Sequence, residues 1–198
     1  PANDTLQRMV DREAKRAEGK GAGYDRWAAV HNLKQMAATH NFLTENELLD
    51  PDSLDAAEKA ARETLSEKRE ALKTVEAALA AKKELRKAAN DYRRTRPTVD
   101  EHRKLKGKKA DRFYQANEAD FIIYEAAKRK LRELHPGNKL PSRDKLNAEI
   151  EALISQKNAL YNEYREAKAA HERLFTAQQN AQKLYRQPSR RKEQSHER

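Results

Sequence analysis

DSLDAAEKAARETLSEKREALKTVEAALAAKKELRKAANDYRR, residues 52–94, and SRDKLNAEIEALISQKNALYNEYREAKAAHERLFTAQQNAQKLY, residues 142–185, decide the fold between them. In the first, Leu54, Glu58, Ala61, Leu65, Lys68, Leu72, Val75 and Leu79 alternate steps of four and three, a heptad seam with charged residues at Glu58 and Lys68. In the second, Leu146, Ile150, Leu153, Lys157, Leu160, Tyr164, Ala167, His171, Leu174, Gln178, Ala181 and Tyr185 repeat the same steps. Each stretch predicts a helix of about 40 residues, roughly 60 Å at about 1.5 Å per residue. Neither can bury its stripe alone, so the simplest intramolecular solution is an antiparallel pair.

The rest of the chain reads as helices separated by its five glycines and six prolines, which, apart from Pro1, fall at the joints. A first helix is expected from about Asp4 to Glu18, with Leu6, Met9 and Val10 on one face, broken by a glycine hinge at 19–23. A second, from about Tyr24 to Asn41, carries Trp27, Val30, Leu33, Met36 and Ala37 as a packing stripe. Thr44-Glu45-Asn46-Glu47 has the form of a reciprocal helix-start cap, predicting a short helix stopped near Pro51, after which Asp52 or Ser53 caps the first long helix. That helix is expected to end before Thr95-Arg96-Pro97. Residues 97–141 form an inserted helical subdomain: a short helix to about Lys106, a break at Gly107, a helix from about Ala110 to Leu134, and a closing Pro136-Gly137-Asn138.

The fold class expected is therefore all-α and elongated: a long antiparallel, coiled-coil-like hairpin with an insert at its tip and a small N-terminal helical unit. The domains are read as 1–50, 51–186 with arms at about 52–94 and 142–185, and a disordered basic tail at 187–198.

Apolar and charged residues each make up 37% of the chain, too polar a balance for a thick globular core and suited to solvated helices packed along narrow seams. With no cysteine, disulfides and thiolate metal sites are excluded, and a reducing, cytoplasmic setting is expected. No stretch reaches the roughly 18–20 apolar residues of a membrane span, so membrane insertion is not expected. The start at Pro1-Ala2-Asn3-Asp4 reads as an excised fragment.

The net charge of +10 is not spread evenly. Residues 82–109 hold 12 Lys/Arg against 4 Asp/Glu, and residues 128–145 hold 7 against 2, whereas residues 1–81 hold 12 against 15. A hairpin brings the two basic segments to one end. The candidate nucleic-acid-binding residues are Lys82, Lys83, Arg86, Lys87, Arg93, Arg94, Arg96, Arg103, Lys104, Lys106, Lys108, Lys109, Lys128, Arg129, Lys130 and Arg132, with Tyr92 and Tyr114 as stacking platforms. The alternative is a solvated face whose cations serve solubility and local ion pairs.

Other constellations carry less. Gly19, Gly21 and Gly23 around Lys20 lack the strand context and spacing of a phosphate loop and read as a helix break. His31 and His40 are nine residues apart, and no histidine pair shows metal-ligand spacing, so no metal or cofactor is expected. Glu118, Asp120 and Glu125 form no paired-carboxylate set, and no catalytic residue is assigned.

GAGYDRWAAVHNLKQMAATHNFLTE at 21–45 resembles a stretch downstream of the catalytic domain in relaxase/mobilization nucleases of conjugative elements from Gram-positive bacteria. DYRRTRP at 91–97, FYQANEADFIIYEAAKRKLREL at 113–134, KLPSRDKL at 139–146 and KNALYNEYREAK at 157–168 resemble successive blocks of the same helical region, over roughly residues 6–185. The resemblance implies the C-terminal helical part of a DNA relaxase, an enzyme that nicks one strand at an origin of transfer and stays attached through a tyrosine. The histidine cluster and tyrosine motif of that chemistry have no counterpart here, so the transfer function carries over without the catalytic residues. The partners implied are origin-of-transfer DNA or, alternatively, a type IV secretion coupling protein or relaxosome accessory protein, with homo-oligomerisation open.

Overall fold

A computed structural model describes residues 6–137 and 139–185. Its described residues form six helices and no strand: α1 (Arg12–Ala17), α2 (Ala22–Glu45), α3 (Pro51–His102), α4 (Lys108–Ala116), α5 (Glu118–Leu134) and α6 (Arg143–Tyr185). The expected all-α pairing of two long helices forms, with α3 and α6 antiparallel. They contribute to both of two compact units, one of residues 6–69 and 163–185, the other Glu70–Asn162. This division cuts through the long helices, whereas the sequence suggested a boundary at residue 50; the basic tail at 187–198 lies outside the described residues.

In the first unit the seam buries Leu54 of α3 with Ala177 and Ala181 of α6 and Leu43 of α2, flanked by Leu6, Phe42, Leu48 and Leu174. The irregular seam position Glu58 is buried and meets His171, another seam residue, at 3.1 Å, while Lys68 reaches Glu163 at 2.7 Å. Charged seam residues thus find partners across the pair, and the irregularities help fix its register.

The expected helix through Leu6, Met9 and Val10 does not form before Arg12. Residues 6–10 are instead held by side chains that bond their backbone. The Gln7 N–H donates to Gln35 Oε1 at 2.7 Å, and the Val10 N–H and carbonyl pair with the Asn32 amide at 2.7 and 2.8 Å. Asn180, fully buried, accepts from the Met9 N–H and donates to the Gln7 carbonyl and to Thr39 Oγ1, each at 2.9 Å. Lys183 Nζ donates to the Met9 carbonyl at 2.6 Å. Backbone groups that would otherwise form helical bonds are satisfied this way. Asp11 then caps α1 by accepting from the Ala14 N–H. Gly19, with φ of 83°, ends α1 in the left-handed conformation that glycine adopts without penalty.

Those same contacts turn α2 over. Its inward face is Ala28, Asn32, Gln35, Thr39 and Leu43, while the apolar stripe read as packing residues, Trp27, Val30, Leu33 and Met36, is exposed, Leu33 by 67%. The helix also runs four residues past Asn41, to Glu45. Thr44 spends its hydroxyl on the His40 carbonyl, so the expected helix-start cap is a helix end, and the predicted short helix is absent. The Leu48 N–H donates back to the Leu43 carbonyl at 2.7 Å across Glu47, which has φ of 58°. Pro51 is the first residue of α3, where its missing N–H costs nothing. Asp50, rather than Asp52 or Ser53, caps that helix, accepting from the Ser53 N–H and hydroxyl at 2.9 Å.

In the second unit Leu85 and Ala89 of α3 bury Leu146 of α6, with Leu131, Leu134 and Leu140 packed around them. Tyr92 stacks on the buried Tyr124 of α5 at 5.1 Å. α3 does not stop before Pro97. A proline inside a helix costs about 3 kcal/mol. Here the continuation buries Val99, lets the Thr98 hydroxyl donate to Asp120 Oδ2 at 3.1 Å, and sets the His102 ring against Phe113, Tyr114 and Phe121. The expected break at Thr95 is filled by a buried threonine whose hydroxyl donates to the Asp91 carbonyl. The helix expected over 110–134 is two, because Asn117 turns its side-chain amide onto the Phe113 carbonyl and ends α4.

Removal of the Asn180 side chain leaves the Met9 N–H and Gln7 carbonyl without their bonds. Asn180→Ala is expected to destabilise the chain by about 1–3 kcal/mol, with amide exchange at Met9 accelerating most; unchanged exchange there would refute the assignment.

Asp25 accepts a bidentate pair from Arg12, at 2.9 and 2.7 Å, and a third bond from Arg16 at 2.6 Å. The Arg12 hydrogen bond, followed by that of Arg16, holds its carboxyl well below the usual carboxylate range. A depressed folded-state value stabilises above the unfolded value of about 3.9 and is lost as pH falls toward the folded one. In thermal melts, Asp25→Asn is expected to lower the melting temperature at neutral pH, and the gap to wild type narrows as pH drops below about 4. A gap that widens on acidification would contradict this.

Candidate nucleic-acid interface

All sixteen cations singled out in the sequence fall in the second unit, Glu70–Asn162, which carries 22 Lys/Arg against 14 Asp/Glu. The structure sorts them into groups with different surroundings. Lys82 is occupied: its ammonium donates to Glu149 Oε2 at 2.6 Å and holds that carboxyl below its ordinary value. Arg94 faces Asp120 at 3.6 Å, and Arg96 and Arg103 share Asp100, each at 3.2 Å. Lys128 sits 3.6 Å from Glu125 and over the Tyr124 ring. Lys82 and Arg94 thus tie α3 to α6 and α5, whereas Arg96, Arg103 and Lys128 pair locally, three or four residues along the chain.

Lys87, Arg129 and Lys130 line a groove of about 590 Å³ between α3 and α5, together with Glu84, Asp91 and Glu133. Lys130 lies 3.5 Å from both Glu84 and Glu133. The field there is mixed. Lys128 and Arg132 border a second groove, of about 420 Å³, with Tyr92, His135 and Lys139.

Two groups are different. Lys104, Lys106, Lys108 and Lys109 crowd the turn from α3 into α4, all exposed and without an acidic partner among the described residues. Gly107, with φ of 55°, makes that turn. Arg86 and Arg93, one helical face of α3, line a third groove with Asn90 and with Arg143, Leu146 and Asn147 of α6. Asn90 and Asn147 escape a reading by charge runs, and Arg143 lies in the basic run 128–145 but outside the candidate set. The clue to them is the antiparallel register, which puts the first turns of α6 opposite residues 86–93. Lys83 is exposed on α3.

The two aromatic candidates have different fates. Tyr92 is stacked on Tyr124 and approached by the Arg96 guanidinium at 6.0 Å, so its ring is largely used inside the fold. Hydrogen bonding to Tyr124, then burial, pushes its phenol above the ordinary value. Tyr114 packs on Phe121 at 4.7 Å and keeps 41% of its surface exposed.

No family model, curated protein or solved structure matches this chain. Among the described residues no group of three or more His, Asp or Glu is placed to hold a metal ion, and no helix is long and apolar enough to cross a membrane.

The groups separate by substitution. Lys82→Glu puts a second carboxylate beside Glu149 and is expected to lower the melting temperature. Lys108→Glu, in the exposed turn, is expected to leave stability within about 0.5 kcal/mol of wild type. Equal melting temperatures for the two variants would show that Lys82 is not a structural cation.

Proposed function

We propose that this chain is a non-catalytic part of a DNA relaxase acting in conjugative transfer, and that it grips the phosphate backbone of origin-of-transfer DNA through the cation-rich surface of its second unit. The observation that carries the DNA contact is the turn holding Lys104, Lys106, Lys108 and Lys109. Four exposed ammonium groups within six residues, with no acidic partner among the described residues, form an electrostatic footprint suited to sequence-independent phosphate contact. The relaxase assignment rests on the resemblance of the sequence blocks between residues 21 and 168. Nicking chemistry and a bacterial cytoplasmic location belong to the same reading.

A second reading is favoured by one observation. The face of α2 bearing Trp27, Val30, Leu33 and Met36 is apolar and exposed, and such a face suits a protein partner. In this reading the chain recruits the relaxase to a type IV secretion coupling protein or a relaxosome accessory protein.

Binding of the chain to duplex, hairpin and single-stranded origin DNA over a salt series tests the first reading. Affinity is expected to fall with salt, and replacing Lys104, Lys106, Lys108 and Lys109 by Gln should shrink the slope by about 0.9 for each lysine that contacts a duplex phosphate. No binding at low salt overturns it. Loss of coupling-protein association on Trp27→Ser and Leu33→Ser, with DNA binding intact, would establish the second role.

A further inference from the structure

The groove between α3 and α6 in the second unit is lined almost wholly by arginines and amides. Arg86, Asn90 and Arg93 lie at i, i+4 and i+7 on α3 and so share one face. Arg143, Leu146 and Asn147 close it from α6. The lining therefore contains three guanidinium groups, two carboxamides and no acid. By contrast, the groove between α3 and α5 balances its cations with three carboxylates.

The arginines are held in place by neutral partners. Arg86 Nη1 donates to Asn147 Oδ1 at 3.2 Å, and Arg93 Nη2 donates to the Pro141 carbonyl. Arg93 Nη1 is buried without a hydrogen-bond partner. An unpaired buried N–H on a charged group is costly, and the arginine that carries it is one of those lining the groove. α6 begins at Arg143, so the positive end of its dipole lies at the same place. The groove, of about 220 Å³, falls below the roughly 300–1,000 Å³ that encloses a drug-sized molecule, and suits a small anion.

We propose that this groove is a phosphate-binding site. Arg86, Arg93 and Arg143 supply charge-assisted donors to the phosphate oxygens, and the Asn90 and Asn147 amides supply neutral ones. The site goes beyond the DNA contact proposed above, because a free phosphate satisfies it as well as a backbone phosphodiester does.

The test titrates the whole chain with inorganic phosphate and, separately, with a short oligonucleotide that lacks terminal phosphates. Arginine Nε and backbone amide shifts are followed in both titrations. The expected result is a saturable response to phosphate at Arg93, Arg143 and the first turn of α6. Affinity should fall about tenfold or more in Arg143→Glu and in Arg93→Gln, and hold in the control Arg62→Gln/Arg69→Gln, exposed arginines of the first unit. Arg93→Gln disturbs the Pro141 contact; Arg143 is exposed and without a partner among the described residues, so Arg143→Glu keeps the test independent of folding. No saturable phosphate response, or equal losses in groove and control variants, overturns the site. An oligonucleotide that binds in a manner insensitive to Arg143→Glu, with no phosphate response, leaves the DNA reading standing without the groove. A groove-specific phosphate response with no oligonucleotide binding does the reverse.

Discussion

Two long helices whose apolar stripes are only a seam wide must bury those stripes against each other, and the rest of the protein depends on that constraint. The seam sets the antiparallel register, and the register decides which polar groups meet: Glu58 with His171 in one unit, Lys82 with Glu149 in the other. It also brings Arg143 to Arg86 and Arg93, residues far apart in sequence. A narrow seam leaves most of each helix surface to solvent. That is why a chain with equal shares of apolar and charged residues folds this way, and why its charge is free to be concentrated in one region.

The seam does not determine what packs around it. In the first unit the organising contacts are polar. Asn32, Gln35 and Asn180 bond the non-helical segment 6–10, Thr39 bonds Asn180 and the Gln35 carbonyl, and α2 turns these polar groups inward to do so. Hydrophobic burial alone would have turned Trp27 and Leu33 toward the core. In the second unit packing overrides a local signal in the opposite sense. Buried Val99 and the rings around His102 hold α3 helical through Pro97, although proline disfavours that course. The extended α3 then delivers the lysine turn to its place ahead of α4.

Much of this was legible in residues 52–94 and 142–185, because a repeat of fours and threes sustained over about 40 residues has few other meanings. The helix ends were less legible, since the same residue types serve both ends. Thr44 and Glu47 have the spacing of a start and lie at a helix end; Pro51 resembles a stop and opens a helix. The orientation of α2 was hidden because Asn180, the residue that fixes it, lies 141 positions from Thr39. Among the candidate cations, charge runs found the basic region but did not distinguish Lys82, spent on Glu149, from Lys106, which is open to solvent. That distinction depends on which carboxylates the register brings near.

The non-helical segment ahead of α1 is bound much as a peptide lies in a receptor. The contacts that hold Gln7, Met9 and Val10 run to their backbone N–H and carbonyl groups rather than to their side-chain polar atoms. Recognition of this kind is indifferent to side-chain chemistry, provided the size at buried Met9 is kept. At Gln7 and Val10, sequence can drift widely without loss of the fold. Proline is the exception, because it removes the donated N–H.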